Sequence, residues 1–224
     1  MITISDVPNN SYTLLAEETG WHIGDGSMNY YENKTHSKGL YQLRGHLTED
    51  KDHYITRIKP IFEKVYGCKI NLREMPSTGV FGFQIWNDRI VSFKHNLGLP
   101  LGKKWDIKIP KVFLKKEKLA KLVVRGIFDT DGCVSFEHKR GNSYPHIHVN
   151  TISFPLAKQI HSILLELNLR VNIYTTKPNF EQNRPNPIYR VEMVGQKMLN
   201  KFFNKISPKN SKHINKYLSY RKSF

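Results

Sequence analysis

The sequence predicts an α+β chain made of two αββαββα repeats. Three observations lead there: a short motif occurs twice, the same order of helical and alternating segments follows each copy, and a Pro/Lys-bearing stretch closes each half. The motif copies are Gly20-Trp21-His22-Ile23-Gly24-Asp25-Gly26 and Gly126-Ile127-Phe128-Asp129-Thr130-Asp131-Gly132. Each is Gly, four residues, then Asp-Gly, and the offset is 131 − 25 = 106. Pro100 and Lys104 match Pro208 and Lys212 at an offset of 108 (212 − 104). Apolar positions follow, Ile85 with Met193, Ile90 with Met198 and Val91 with Leu199. A fixed period with a shared apolar pattern is the mark of duplication.

Each half reads in the same order. A helix leads into the motif, from Tyr12 to about Gly24 and from Lys118 to about Thr130. Two alternating segments follow, 27–32 and 41–47, then 133–138 and 146–152, as half-buried strands require. The second helix of the second half starts at Pro155, a residue suited to a first helical turn. It puts Leu156, Ile160, Ile163, Leu164 and Leu167 on one face. Its counterpart carries Ile55, Ile58, Ile61, Phe62 and Val65, and Pro60 should bend it. Two more strands are expected at 69–74 and 80–86, and at 170–176 and 188–194. A third helix closes each half. The join falls at the basic stretch 110–118, so the expected domains are residues 1–110 and 111–224. The loop 177–187 holds three prolines and should stay irregular.

Composition narrows the function. The 224 residues carry 35 Lys+Arg against 19 Asp+Glu, a net charge of +16, with 39% hydrophobic residues. That apolar share supports a core. The excess charge repels itself on folding and calls for a polyanion, of which nucleic acid is the commonest inside cells. Basic residues are spread along the chain, which suits a folded basic face better than a tail. No apolar run reaches the roughly 18 residues of a membrane span, so no membrane association is expected. The first residues lack a basic stretch followed by an apolar run, so no secretory leader is expected. Cys68 and Cys133 make no disulfide framework and there is no CxxC pair for zinc. A reducing intracellular setting fits, in the cytoplasm or nucleoid of a prokaryote or in an organelle. There is no GxSxG elbow, HExxH or P-loop.

The motif helices have the look of a site. Ala16, Gly20 and Gly24 recur every four residues, as do Leu122, Gly126 and Thr130. Glycine inside a helix costs roughly 0.5–1 kcal/mol against alanine. The cost is tolerable where two backbones must approach closely, so Gly20 and Gly126 suggest two helices packed side by side. Asp25 and Asp131 then sit at helix C-termini, where the helix dipole disfavours negative charge. Side by side they would also repel. A divalent cation with hard oxygen ligands, Mg²⁺, would offset both terms. Asp129-Thr130-Asp131-Gly132 begins like a calcium loop, but Cys133 and Val134 replace the required oxygen ligand and glycine.

These motifs resemble the LAGLIDADG homing endonucleases in their single-chain, two-motif form. The second copy is the closer one; in the first, Ile23 stands where the first Asp of the motif falls. The resemblance covers essentially the whole chain. It implies two halves related by pseudo-twofold symmetry, motif helices at the central interface and antiparallel sheets forming a DNA-binding saddle. It implies a monomer that makes Mg²⁺-dependent double-strand breaks at a long DNA site, in intron homing. Mn²⁺ should substitute, and Ca²⁺ should support binding without cleavage. Asp25 and Asp131 would hold metal with the carbonyls of Gly24 and Thr130. Lys104 and Lys212 match the active-site basic residue, with Lys103 as a competing choice, and His46 would orient water or lie on the surface. The alternative is a non-cleaving protein of the same fold, an RNA maturase bound to intron RNA or a DNA-binding regulator.

Strand alternation then nominates a DNA face. In the first half it comprises Asn29, Tyr31, Asn33, Gln42, Arg44, Lys69, Asn71, Arg73 and Gln84. In the second it comprises Ser135, Glu137, Lys139, His148, Asn150, Arg170, Asn172, Arg190 and Glu192. Arg can read guanine, and Asn or Gln can read adenine, through paired hydrogen bonds in the major groove. His146 and His148 alternate on one strand, but no third ligand has suitable spacing, so a DNA-face or solvent role is expected.

Overall fold

The computed structural model describes residues 11–32, 37–139, 142–179, 181 and 185–222. Two four-stranded antiparallel sheets form, one in each half, with the orders β1-β2-β4-β3 and β5-β6-β8-β7. The strands of the first are β1 (Gly26–Glu32), β2 (Ser37–His46), β3 (Arg73–Met75) and β4 (Val80–Trp86). Those of the second are β5 (Gly132–Lys139), β6 (Asn142–Thr151), β7 (Asn172–Thr176) and β8 (Ile188–Val194). The motif helices are α1 (Tyr12–Gly24) and α6 (Glu117–Asp131), and they pack along one another. This is the α+β repeat architecture that the duplicated sequence predicts.

The glycines set how close that pairing is. A methyl group on Gly20 would collide with the Val123 carbonyl and lie 2.7 Å from Gly126 Cα. One on Gly126 would collide with the Glu17 carbonyl and lie 2.9 Å from Gly20 Cα. Each motif helix runs almost directly into the first strand of its sheet, so Asp25 and Asp131 stand at helix–strand junctions. Ionic contacts add to the interface: Glu17 on α1 accepts two hydrogen bonds from Arg57 and lies 3.7 Å from Arg125 of α6.

The second-layer helices pack on the inner faces of the sheets. The first-half helix spans residues 51–66 in three pieces, α2 (Lys51–His53), a π-helical stretch (Tyr54–Ile58) and α3 (Lys59–Tyr66). Pro60, which has no N–H to give to the preceding turn, acts here through that change of register. Its counterpart α7 (Phe154–Glu166) is regular; Ser153 caps it by accepting from Leu156 N, and Pro155 lies in its first turn. The third helices are α4 (Asp88–Asn96) and α8 (Gln196–Ile206). The core joins Tyr41, Phe62, Phe83 and Phe93 in the first half to Phe128, Leu199 and Phe202 in the second. One ion pair lies inside it. Glu18 and Lys94, both fully buried, meet at 2.8 Å, and the hydroxyls of Tyr41 and Tyr66 donate to the same carboxylate.

Several expectations are corrected. β3 is only three residues long, so Lys69 and Asn71 precede it; Arg170 likewise precedes β7. The alternation that suggested longer strands persists in burial, with Ile70 inside and Lys69 and Asn71 exposed, but without ladder pairing. Two helices went unpredicted, α5 (Lys111–Leu114) and α9 (Ser211–Lys222). The second is largely polar, with only His213 and Tyr220 buried, and so shows little apolar periodicity. No helix among the described residues is long and apolar enough to cross a membrane.

Candidate active site

The paired helix ends bring five charged side chains together. Lys104 lies in the loop after α4, and its Nζ donates to the carbonyls of His22 (2.9 Å), Ile23 (3.0 Å) and Gly24 (2.6 Å). It therefore neutralises the C-terminus of α1, where the dipole is negative. Lys212 does the same for α6, donating to the Thr130 carbonyl at 3.1 Å. Lys103 instead lies over the Trp105 ring at 4.5 Å and is exposed. The carbonyls of Gly24 and Thr130 thus each hold an ammonium group.

Asp25 sits between these groups. The Tyr54 hydroxyl donates to its Oδ2 at 3.0 Å. Burial, with Asp131 and Asp50 repelling, lifts its pKa to about 8 against the pull of Tyr54 and Lys212. Asp131 is exposed to solvent yet ringed by protein; that enclosure raises its pKa while Lys104 and Lys212 oppose. Burial lowers Lys104 to about 8, against the attraction of Asp131 and Asp25. A cleft of about 260 Å³ links Gly24, Lys104 and Asp131 to Asn150 and Thr151 of β6.

Sequence reasoning missed Asp50. It is buried, accepts from His46 N at 2.8 Å and from Asn210 Nδ2 at 2.7 Å, and pairs with Lys212 at 2.8 Å. A methyl group on Gly45 would lie 2.8 Å from the Oδ2 atoms of both Asp25 and Asp50, so these carboxylates flank one point on β2. No motif carries Asp50, so only the fold could reveal it. Asp129 lies off the site, fully buried, accepting from the backbone of Lys209 and Asn210. Burial raises it to about 7.

The open faces of both sheets are polar. Asn29, Tyr31, Arg73, Glu137, Lys139, Asn150, Asn172 and Arg190 are exposed on strands, and Lys69, Asn71 and Arg170 are exposed beside them. Gln42, Arg44, Gln84, Ser135 and His148 are partly buried, and Arg44 donates to Gln84 at 2.6 Å. Glu192 departs from expectation. It points to the open face, yet His146 at 3.1 Å and Arg190 at 3.9 Å cover it and leave it buried. Asn33 lies outside the described residues. Trp86 was missed: it is 54% exposed, meets Tyr31 edge-on at 5.9 Å, and pairs in register with the buried Leu40. His46 is exposed, its Nδ1 set against the backbone of Thr48 and Glu49. Among the described residues no three His, Cys, Asp or Glu side chains cluster to hold a metal ion.

Residues 118–207, most of the second repeat, match the family model described as a LAGLIDADG-like domain. Over about nine-tenths of its length the chain has the fold of LAGLIDADG homing endonucleases. It is similar to mesophilic variants of the homing endonuclease I-DmoI, at TM-score 0.65 and 13% identity over 88% of this chain and 92% of that one. It is similar to the I-LtrWI LAGLIDADG homing endonuclease bound to target DNA, at TM-score 0.61 and 16% identity over 92% and 88%. It is also similar to the LAGLIDADG meganuclease I-AabMI bound to uncleaved DNA, at TM-score 0.56 and 16% identity over 94% and 89%. I-DmoI structures with DNA contain Mn or Ca. No curated protein matches the chain in sequence.

Proposed function

We propose that the chain is a site-specific DNA endonuclease that acts as a monomer and makes metal-dependent double-strand breaks at a long recognition site. One observation carries the reading: two carboxylates and two lysines, one of each from either repeat, converge where the paired motif helices end. The net charge of +16 and the polar open faces of both sheets supply the means to hold duplex DNA across that point.

The donor set fits a hard divalent cation. Asp25 and Asp131 would hold it, with the Gly24 and Thr130 carbonyls as further oxygens once the lysines turn towards phosphate. Bound there, Mg²⁺ would lower the pKa of a water and neutralise charge on the reacting phosphate. The raised carboxylate pKa values support this: burial raises both, neighbouring carboxylates add to it, and a bound cation would favour the charged forms. Lys104 and Lys212 would donate to phosphate oxygens as charge develops. The residues nominated on strands β1 to β8 would read base edges, and Lys69, Asn71 and Arg170 would hold the backbone or bases beside them.

Selection on a randomised duplex library tests this. Double-strand cuts with Mg²⁺, and binding without cuts in Ca²⁺, are expected. Enrichment of one bound sequence with no cutting in Mg²⁺ or Mn²⁺ would instead favour a DNA-binding regulator, and preferential retention of a structured intron RNA would favour a maturase.

A further inference from the structure

Lys104 and Lys212 hold matching places in the repeats, but their surroundings differ. Lys104 stands on a loop and donates to backbone carbonyls alone; among the described residues no carboxylate lies within ion-pair distance of it. Lys212 stands in the first turn of α9 and pairs with Asp50 at 2.8 Å. Asn210, fully buried, completes the arrangement. Its Nδ2 donates to Asp50 at 2.7 Å and to the Asp129 carbonyl at 2.8 Å, and its Oδ1 accepts from Lys212 N at 3.1 Å. So a first-half carboxylate pairs directly with a second-half lysine, and a second-half amide braces both.

Nothing equivalent serves Lys104. Asp50 stands at the N-terminal cap of the first-half second-layer helix; the residue at the same cap in the second half is Ser153, an uncharged side chain whose hydroxyl donates to the Ile107 carbonyl at 2.7 Å. In the closing stretch, Gly102 stands where the second half has Asn210. The consequence is electrostatic and geometric. A buried carboxylate with three donors anchors the Lys212 ammonium and limits the directions in which it can turn, beside Asp25, whose Oδ2 faces the same strand position. Misplacing a reacting group by about 1 Å can cost about a hundredfold in rate.

We infer that Asp50 is a positioning residue that holds Lys212 for cleavage of one DNA strand only, so the two strands are cut by differently supported lysines. This inference rests on the proposed nuclease function.

The test uses the full chain and a duplex from the library selection, with a different label on each strand. Asp50→Asn and Lys212→Met are expected to slow the same strand by about tenfold or more, and Lys104→Met the other strand. Asp50→Asn combined with Lys212→Met should be no slower than Lys212→Met alone, because Asp50 acts through that lysine. Asn210→Ser, which shortens the amide's reach, should slow the same strand as Asp50→Asn and serves if that variant fails to fold. Equal slowing of both strands by both variants, or slowing of the Lys104-dependent strand, overturns the inference. A wild-type chain that cuts neither strand overturns the nuclease reading itself. Without DNA, trace acetic anhydride should acetylate Lys212 faster in Asp50→Asn than in the wild type while Lys104 is unchanged. An unchanged Lys212 rate would also overturn the inference.

Discussion

Gly20 and Gly126 face each other across the two repeats so closely that a methyl group on either would enter the other helix's backbone. That approach brings the ends of α1 and α6 together, and with them Asp25, Asp131, Lys104 and Lys212.

The first prediction concerns that contact. Gly20→Ala and Gly126→Ala should each lower stability by about 2–3 kcal/mol, since backbone cannot move aside as a side chain can. Urea unfolding measures it. Either variant within about 0.5 kcal/mol of wild type would show a looser helix pair.

Asp25 gives a pH prediction. Its folded pKa, about 8, stands above the ordinary carboxylate value of 3.8. The protonated form therefore favours folding: the stabilisation is complete below about pH 4 and is lost as pH rises through about 8. In metal-free buffer at pH 7, Asp25→Asn should be more stable than wild type by about 1–2 kcal/mol after solvent screening. That gain should vanish near pH 4, and Mg²⁺ should raise the Tm of wild type more than that of the variant. Thermal unfolding across pH, with and without Mg²⁺, reads both effects.

Buried histidines act at the acid end. Burial holds His213 at about 3 and His53 at about 4, below the ordinary 6.5. These groups stabilise the fold above about pH 6.5, and that contribution is lost as pH falls towards 4 and then 3. His213 packs on Phe128 with ring centroids 4.6 Å apart, so His213→Phe should keep the packing and flatten the acid loss. An acid transition unchanged by this variant would remove His213 as a cause.

The Glu18–Lys94 pair is fully buried. Lys94→Met should cost about 3–5 kcal/mol because it leaves the Glu18 carboxyl buried without its ionic partner, and adding Glu18→Gln should recover much of that. A double variant as unstable as the sum of both single variants would show that the pair is not coupled.

Much of this was legible because it was written twice. The repeated Gly-x₄-Asp-Gly spacing placed α1, α6, Asp25 and Asp131 at matching helix ends, and Pro/Lys spacing singled out Lys104 and Lys212. Period-two alternation put Gln42 and Arg44 on one face of β2. What stayed hidden was written once. Asp50 and Asn210 have no copy in the other repeat, α9 shows little apolar periodicity, and the covering of Glu192 depends on His146 and Arg190 from neighbouring positions in the folded sheet. Trp86 and Leu40 were unread for a similar reason: apolar residues on an open face break the alternation that marks that face.

Contact with duplex DNA should be long and ionic. If roughly 8–10 phosphates are neutralised, log affinity should fall against log salt with a slope of about −7 to −9. Fluorescence titration from low to high salt gives the slope, and one shallower than about −3 would rule out a long backbone contact.

The most direct measurement takes one selected duplex and compares wild type with Asp25→Asn and Asp131→Asn in Mg²⁺, scoring binding and double-strand cleavage together. Both variants should bind as wild type does and make no double-strand break. Full cleavage by both would contradict the assignment of the chemistry to the ends of the paired helices.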